Sequence, residues 1–126
     1  MKIFKCTKCA TVVELIHDGG CKPECCGEAM VELKANTTDA AQEKHVPVVK
    51  VEGSKVSVQV GSVLHPMTPE HSIQFIAVKA GSLTLRKDLT PSDEPKADFE
   101  LGAYHGPIEV YEYCNLHGFW KAEANV

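Results

Sequence analysis

The chain has 126 residues, a formal net charge of −4, and a composition that is 44% hydrophobic and 24% charged. That length suits one ordinary domain, or a core-bearing domain plus a mini-domain held by something other than apolar burial. No basic run is present, which argues against nucleic acid and a polybasic membrane contact, and no stretch approaches the ~18 apolar residues of a membrane span. Small anions and other proteins are the partners such a balance fits.

Residues 1–5 run into Cys6 without the apolar segment of a secretory signal, so a cytoplasmic location is expected. In that compartment thiols stay reduced, and a Cys-x-x-Cys pair reads as metal-binding or redox-active. Cys6, Cys9, Cys21, Cys25 and Cys26 all fall in the first 26 residues, whereas Cys114 stands alone near the other end. No single disulfide scaffold explains that distribution. Residues 1–35 are dense in Cys, Gly and polar turns, and only residues 11–16 and 30–33 are long enough for strands. A segment of this kind cannot bury a self-sufficient core, so structural metal is the expected staple. Cys6-x2-Cys9 has the spacing of a metal knuckle, and Cys25-Cys26 supplies two further thiolates for a tetrahedral site of iron or zinc. Cys21 is a fifth candidate: paired with Cys25 it would leave Cys26 free.

Residues 36–42 are small and polar and read as a linker, or as a single helical turn capped by Thr37, Thr38 or Asp39. The domain boundary is placed there. Beyond it the hydrophobic period is two. Residues 49–52 and 55–60 flank Gly53-Ser54 as a hairpin, residues 72–79 and 82–89 flank Ala80-Gly81 as another, and residues 97–101, 108–113 and 119–123 complete the set. Short strands, frequent turns and no amphipathic helix predict an all-β chain whose larger part is an immunoglobulin-like antiparallel β-sandwich.

Three short clusters, Glu43-Lys44-His45-Val46-Pro47, His65-Pro66-Met67-Thr68-Pro69-Glu70-His71 and Cys114-Asn115-Leu116-His117, fall in or beside the expected loops. Loops at one end of a sandwich converge, so ligands far apart in sequence can meet at one ion. Pro47, Pro66 and Pro69 stiffen the segments and reduce the entropy lost in gathering them. Five ligands, His45, His65, His71, Cys114 and His117, exceed the usual four of zinc; one thiolate with four neutral imidazoles suits iron(II) and leaves an octahedral position open. The positive charge of Lys44 beside His45 favours an anion there. His17 and His105 sit in turn sequences without neighbouring ligand types and are expected to be non-ligands, and Phe119 and Trp120 are expected in the core. The alternative is an electron-transfer protein of the blue-copper type, with two histidines, one cysteine and an axial methionine; no methionine follows His117.

Over its full length the chain resembles the desulfoferrodoxins, the two-iron class of superoxide reductase. Cys6-x2-Cys9 and Cys25-Cys26 resemble the desulforedoxin-type iron site. Glu43-Lys44-His45-Val46-Pro47, His65-Pro66-Met67, Glu70-His71 and Cys114-Asn115-Leu116-His117-Gly118 resemble the catalytic-site segments. Cys21 is an addition to that pattern. The resemblance implies a desulforedoxin-like domain with a four-cysteine metal site over residues 1–36 and a reductase sandwich over residues 37–126. It implies a catalytic iron with His45, His65, His71 and His117 in a square plane and Cys114 axial, and a second iron, or zinc, held by Cys6, Cys9, Cys25 and Cys26. The implied reaction is one-electron reduction of superoxide to hydrogen peroxide without dioxygen release, in the service of detoxification. Lys44 would draw in superoxide and help orient a proton-donating water, and Glu43 would fill the sixth position of the oxidised resting iron. A rubredoxin-like electron donor and a homodimeric assembly are implied as well.

Overall fold

Residues 1–126 are all described by the structure, a computed structural model. The chain divides into two units, Met1–Lys34 and Ala35–Val126. No helix is long and apolar enough to cross a membrane.

In the first unit, strand β1 (Ile3–Lys5) lies between β2 (Val12–Glu14) and β5 (Val31–Leu33) in a three-stranded antiparallel sheet. β3 (Glu24–Cys25) and β4 (Glu28–Ala29) form a separate hairpin of two residues a strand. Its two turn residues, Cys26 at φ 53° and Gly27 at φ 78°, both have positive φ, the pattern of a type I′ turn. The left-handed conformation of Cys26 is how two adjacent cysteines come to present their sulfurs to one place. One core cluster consists of Phe4, Cys6 and Met30, with Val13, Leu15 and Cys25 packed on it, and Ile3 is buried as well. So few apolar side chains do not hold strands this short without a cross-link.

The second unit is the expected antiparallel sandwich. One sheet has the order β10-β7-β6, from β6 (Pro47–Glu52), β7 (Lys55–Val60) and β10 (Lys96–Glu100); the other has the order β12-β11-β8-β9, from β8 (Ile73–Ala80), β9 (Leu83–Asp88), β11 (Pro107–Cys114) and β12 (Gly118–Asn125). Both predicted hairpins form; Glu52 lies opposite Lys55 as expected, whereas Ala80 lies opposite Leu83, which puts the second turn at Gly81-Ser82 instead of Ala80-Gly81. Alternate residues pack the interior: Val56, Val58 and Val60 share one core with Ile76, Val78, Phe99, Ile108 and Val110. Full burial of one such side chain contributes about 1.5–3 kcal/mol.

Of the two readings of the polar segment after the first unit, a linker and a capped helical turn, the capped turn does not form. The helical turn present is α1 (Gln42–His45), preceded by Ala41 in an extended conformation with no side-chain cap, so Thr37, Thr38 and Asp39 do not start it. The segment is held instead by Asn36 at φ 61°. Asn36 N donates to the Phe119 carbonyl at 3.0 Å, its Nδ2 donates to the Lys121 carbonyl at 3.1 Å, and Lys121 N donates to its Oδ1 at 2.8 Å. These bonds occupy the open edge of β12, a place where an unpaired strand would otherwise offer its backbone to another chain. α1, the β7–β8 loop and the β11–β12 turn all lie at one end of the sandwich. There the β11–β8 register shifts between Tyr113 and Cys114, which pair with Phe75 and Ile73, so the extra residue is Gln74 on β8.

Candidate metal centres

The last residue of α1 supplies His45, the β7–β8 loop supplies His65 and His71, and the β11–β12 turn is bracketed by Cys114 and His117. One ligand atom from each of these five lies within 4.8 Å of all the others. His45 and His65 are 2% exposed and Cys114 is 0% exposed. The imidazoles form a closed circuit of edge-to-face neighbours. Ring centroids are 4.9 Å apart for His45 and His65, 4.6 Å for His65 and His71, 5.0 Å for His71 and His117, and 4.8 Å for His117 and His45.

Backbone carbonyls fix the ring orientations. His45 Nδ1 donates to the Ala41 carbonyl at 2.8 Å and His65 Nδ1 to the Pro66 carbonyl at 2.7 Å, so each proton sits on Nδ1 and each Nε2 lone pair turns inward. His117 enters the opposite way round, its Nδ1 3.1 Å from His45 Nε2. Trp120 Nε1 donates to the His117 carbonyl at 3.0 Å, and the indole stacks on His45 at 5.1 Å. Trp120 is thus both a core residue, as expected, and a wall of the site.

Burial sets the electrostatics. It pushes His45, His65 and His71 below the ordinary histidine range, His65 to about 4, so the rings stand neutral and free to coordinate. It pushes the Cys114 thiol up, against the opposing effect of the His117 and Leu116 amides that point at the sulfur. The Nε2 atoms of His65 and His71 are buried without any hydrogen-bond partner. Orphaned nitrogens of this kind are costly, and a cation at their meeting point satisfies them together with the thiolate. Four imidazoles and one thiolate are a donor set suited to iron.

Glu43 and Lys44 lie exposed on α1, and Glu43 is not among the converging ligand atoms. Their backbone packs against the β7–β8 loop. The Glu43 carbonyl accepts from Val63 N at 2.9 Å, and a Cβ on Gly61, at φ 82°, would lie 2.4 Å from the Val63 carbonyl oxygen and 2.8 Å from that of Glu43. Only glycine fits there. Glu112 is 0% exposed, with both carboxylate oxygens unpartnered, and burial raises its carboxyl well above the usual range. It shares the inward face of β11 with Cys114 and lies opposite Trp120. Sequence reasoning passed over both Gly61 and Glu112. The alternation of Ile108, Val110, Glu112 and Cys114 was the available signal for the second.

In the first unit, the sulfurs of Cys6, Cys9, Cys25 and Cys26 also gather within 4.8 Å, whereas Cys21 is exposed outside the group. Lys8 N and Cys9 N each donate to Cys6 Sγ at 3.3 Å, and Cys9 Sγ is 3.6 Å from Cys25 Sγ. The Thr11 hydroxyl beside Cys9 brings that thiol down to about 6, while hydrogen bonding with Cys6 pushes Cys25 up to about 12. Four thiols this close cannot all ionise without a cation among them. His17 and His105 are exposed and join neither group.

The desulfoferrodoxin family model matches residues 37–123. The desulfoferrodoxin of Syntrophotalea carbinolica is 46% identical over 123 residues, which cover 98% of this chain and 96% of that one. That of Nitratidesulfovibrio vulgaris gives the same identity and coverage. Among solved structures, the superoxide reductase from Treponema pallidum superposes with a TM-score of 0.74 at 39% identity, covering 89% of this chain and 92% of that one. The two ligand sets fit the iron centres of superoxide reductases. The chain belongs to the desulfoferrodoxin family.

Proposed function

We propose that this protein is a superoxide reductase, converting one superoxide, one electron and two protons to hydrogen peroxide without releasing dioxygen. The observation that carries the reading is the convergence of four imidazoles and one buried thiol within 4.8 Å. In this reading His45, His65, His71, His117 and Cys114 hold the catalytic iron, in a domain over residues 37–126. Cys6, Cys9, Cys25 and Cys26 hold a second iron, or zinc, in a domain over residues 1–36. Ferrous iron held by these five residues would supply the electron and a place for the anion.

The chain's own groups do the rest. The carbonyls of Ala41 and Pro66 hold two rings in one tautomer, so little reorganisation accompanies electron loss. The Leu116 and His117 amides moderate the charge on the Cys114 sulfur. Exposed Lys44 attracts the anion over about the 8 Å of the physiological Debye length, which matters on a chain of net negative charge. Glu43, next to it, is assigned the closing of the oxidised site. A rubredoxin-like carrier returns the electron, and a homodimer in the cytoplasm completes the proposal.

A blue-copper-like electron carrier is disfavoured. Such sites use two histidines, whereas four converge here, and the Met67 sulfur is taken by the Ile73 amide at 3.3 Å. Anaerobic titration of the reduced, iron-loaded protein with superoxide tests the proposal. One peroxide per superoxide with no dioxygen is expected; dioxygen at half the superoxide consumed would mean dismutation.

A further inference from the structure

Each imidazole of the five-ligand site needs something to hold it in place. His45 and His65 are held through Nδ1 by carbonyls, and the His117 backbone is held by the Trp120 indole. The His71 ring has no hydrogen bond of its own, and its Nε2 is a buried orphan. Its position therefore depends on its backbone, which lies in a tight turn: Thr68 N donates to the His71 carbonyl at 2.9 Å and His71 N to the Thr68 carbonyl at 3.2 Å. That turn fixes His71 relative to Thr68. It does not fix it relative to the other ligands.

The missing connection is made by Asn115. Its Nδ2 donates to the Glu70 carbonyl at 2.9 Å, its Oδ1 accepts from Ser72 N at 3.0 Å, and its own backbone N donates to the Ser72 carbonyl at 3.3 Å. One residue of the Cys114–His117 turn thus grips the chain on both sides of His71. The chemistry explains why an amide is used. Beyond the bulge at Cys114 the β8–β11 ladder loses its regular register, and a carboxamide, which carries a donor and an acceptor in one plane like a peptide group, extends the pairing past the break.

We propose that Asn115 is a positioning residue that locks the His71 loop to the Cys114–His117 turn and so holds His71 in the metal shell. The inference rests on the metal-site reading but not on superoxide chemistry. It is tested by iron retention in the full-length, iron-loaded protein: release of the five-ligand iron to a ferrous chelator, and the thiolate-to-iron absorption band. Asn115→Ala is expected to release that iron on the order of 10-fold faster or more, and to shift the band, with the absorption of the four-cysteine centre and the circular dichroism unchanged. Asn115→Asp, which keeps the acceptor for Ser72 N and loses the donor to Glu70, should fall between. In a double-mutant comparison, Asn115→Ala should add little to His71→Ala but should add fully to His45→Ala.

Unchanged release in Asn115→Ala, or full additivity with His71→Ala, would overturn the proposal. So would loss of the folded circular dichroism in both Asn115 variants, which would make the residue a fold determinant only. Normal iron retention in the native protein together with failure to reduce superoxide would sink the enzymatic reading and leave the clasp standing.

Discussion

The two metal sites are built by opposite strategies. In residues 1–34 the strands are two or three residues long, the buried apolar residues are Ile3, Phe4, Cys6 and Met30, and one of them is itself a candidate ligand. An ion held there would supply most of what holds the chain. In residues 35–126 the strands are five to eight residues long and the valine and isoleucine core is complete without any ligand except Cys114. In the first unit a metal would make the fold, whereas in the second the fold makes the metal site.

Stripping both metals with a strong chelator should break this comparison most forcefully if it is wrong. Amide exchange in residues 1–34 is expected to rise to the level of an unfolded chain, since structural metal contributes on the order of 10 kcal/mol to small modules. Residues 47–60 and 73–125 should keep their protection. Equal loss in both units, or in neither, would erase the distinction. A second expected effect is optical: Cys114→Ser should abolish the charge-transfer band of the five-ligand iron and spare that of the four-cysteine iron, and Cys9→Ser should do the reverse. Simultaneous loss of both bands in either variant would mean the sites are not independent.

Smaller effects sharpen the claim that the sandwich positions its ligands in advance. Gly61→Ala should destabilise the protein by about 2–3 kcal/mol, because the added carbon meets two carbonyls in a left-handed backbone. Gly53→Ala shares the positive φ but meets nothing within 4 Å, and should cost only about 1 kcal/mol. Chemical denaturation distinguishes the two, and equal values would deny that Gly61 presses α1 onto the β7–β8 loop. The smallest change is expected from Lys44→Ala: superoxide capture slower by a few-fold, with a flatter dependence on ionic strength. Pulse radiolysis at two salt concentrations checks it, and an unaltered rate removes the steering role.

Much of this was readable from the sequence because the relevant signals are local. The period of two at residues 55–60 and 108–113 is set by which side chains face the core. The knuckle Cys6-x2-Cys9 and the triplet of histidine clusters are patterns of composition. What escaped reading depends on distant partners or on backbone angles. Asn36 acts on Lys121, 85 positions away, and α1 begins after Ala41 without a side-chain cap from Thr37, Thr38 or Asp39. Strand β1 is too short to show a period, and the turn at Cys26 relies on a left-handed cysteine that residue type does not advertise. Asn115 carries no local signal of its role, since its partners Glu70 and Ser72 lie 45 and 43 positions earlier.

Trp120 is the only tryptophan in the chain, and its indole lies against the ring of His45. The molecule therefore carries its own fluorophore stacked on one proposed ligand of the five-ligand centre. A paramagnetic iron held by His45 should quench this emission and a closed-shell zinc should not, so an ordinary fluorescence titration distinguishes an iron-filled centre from a zinc-filled one without any label.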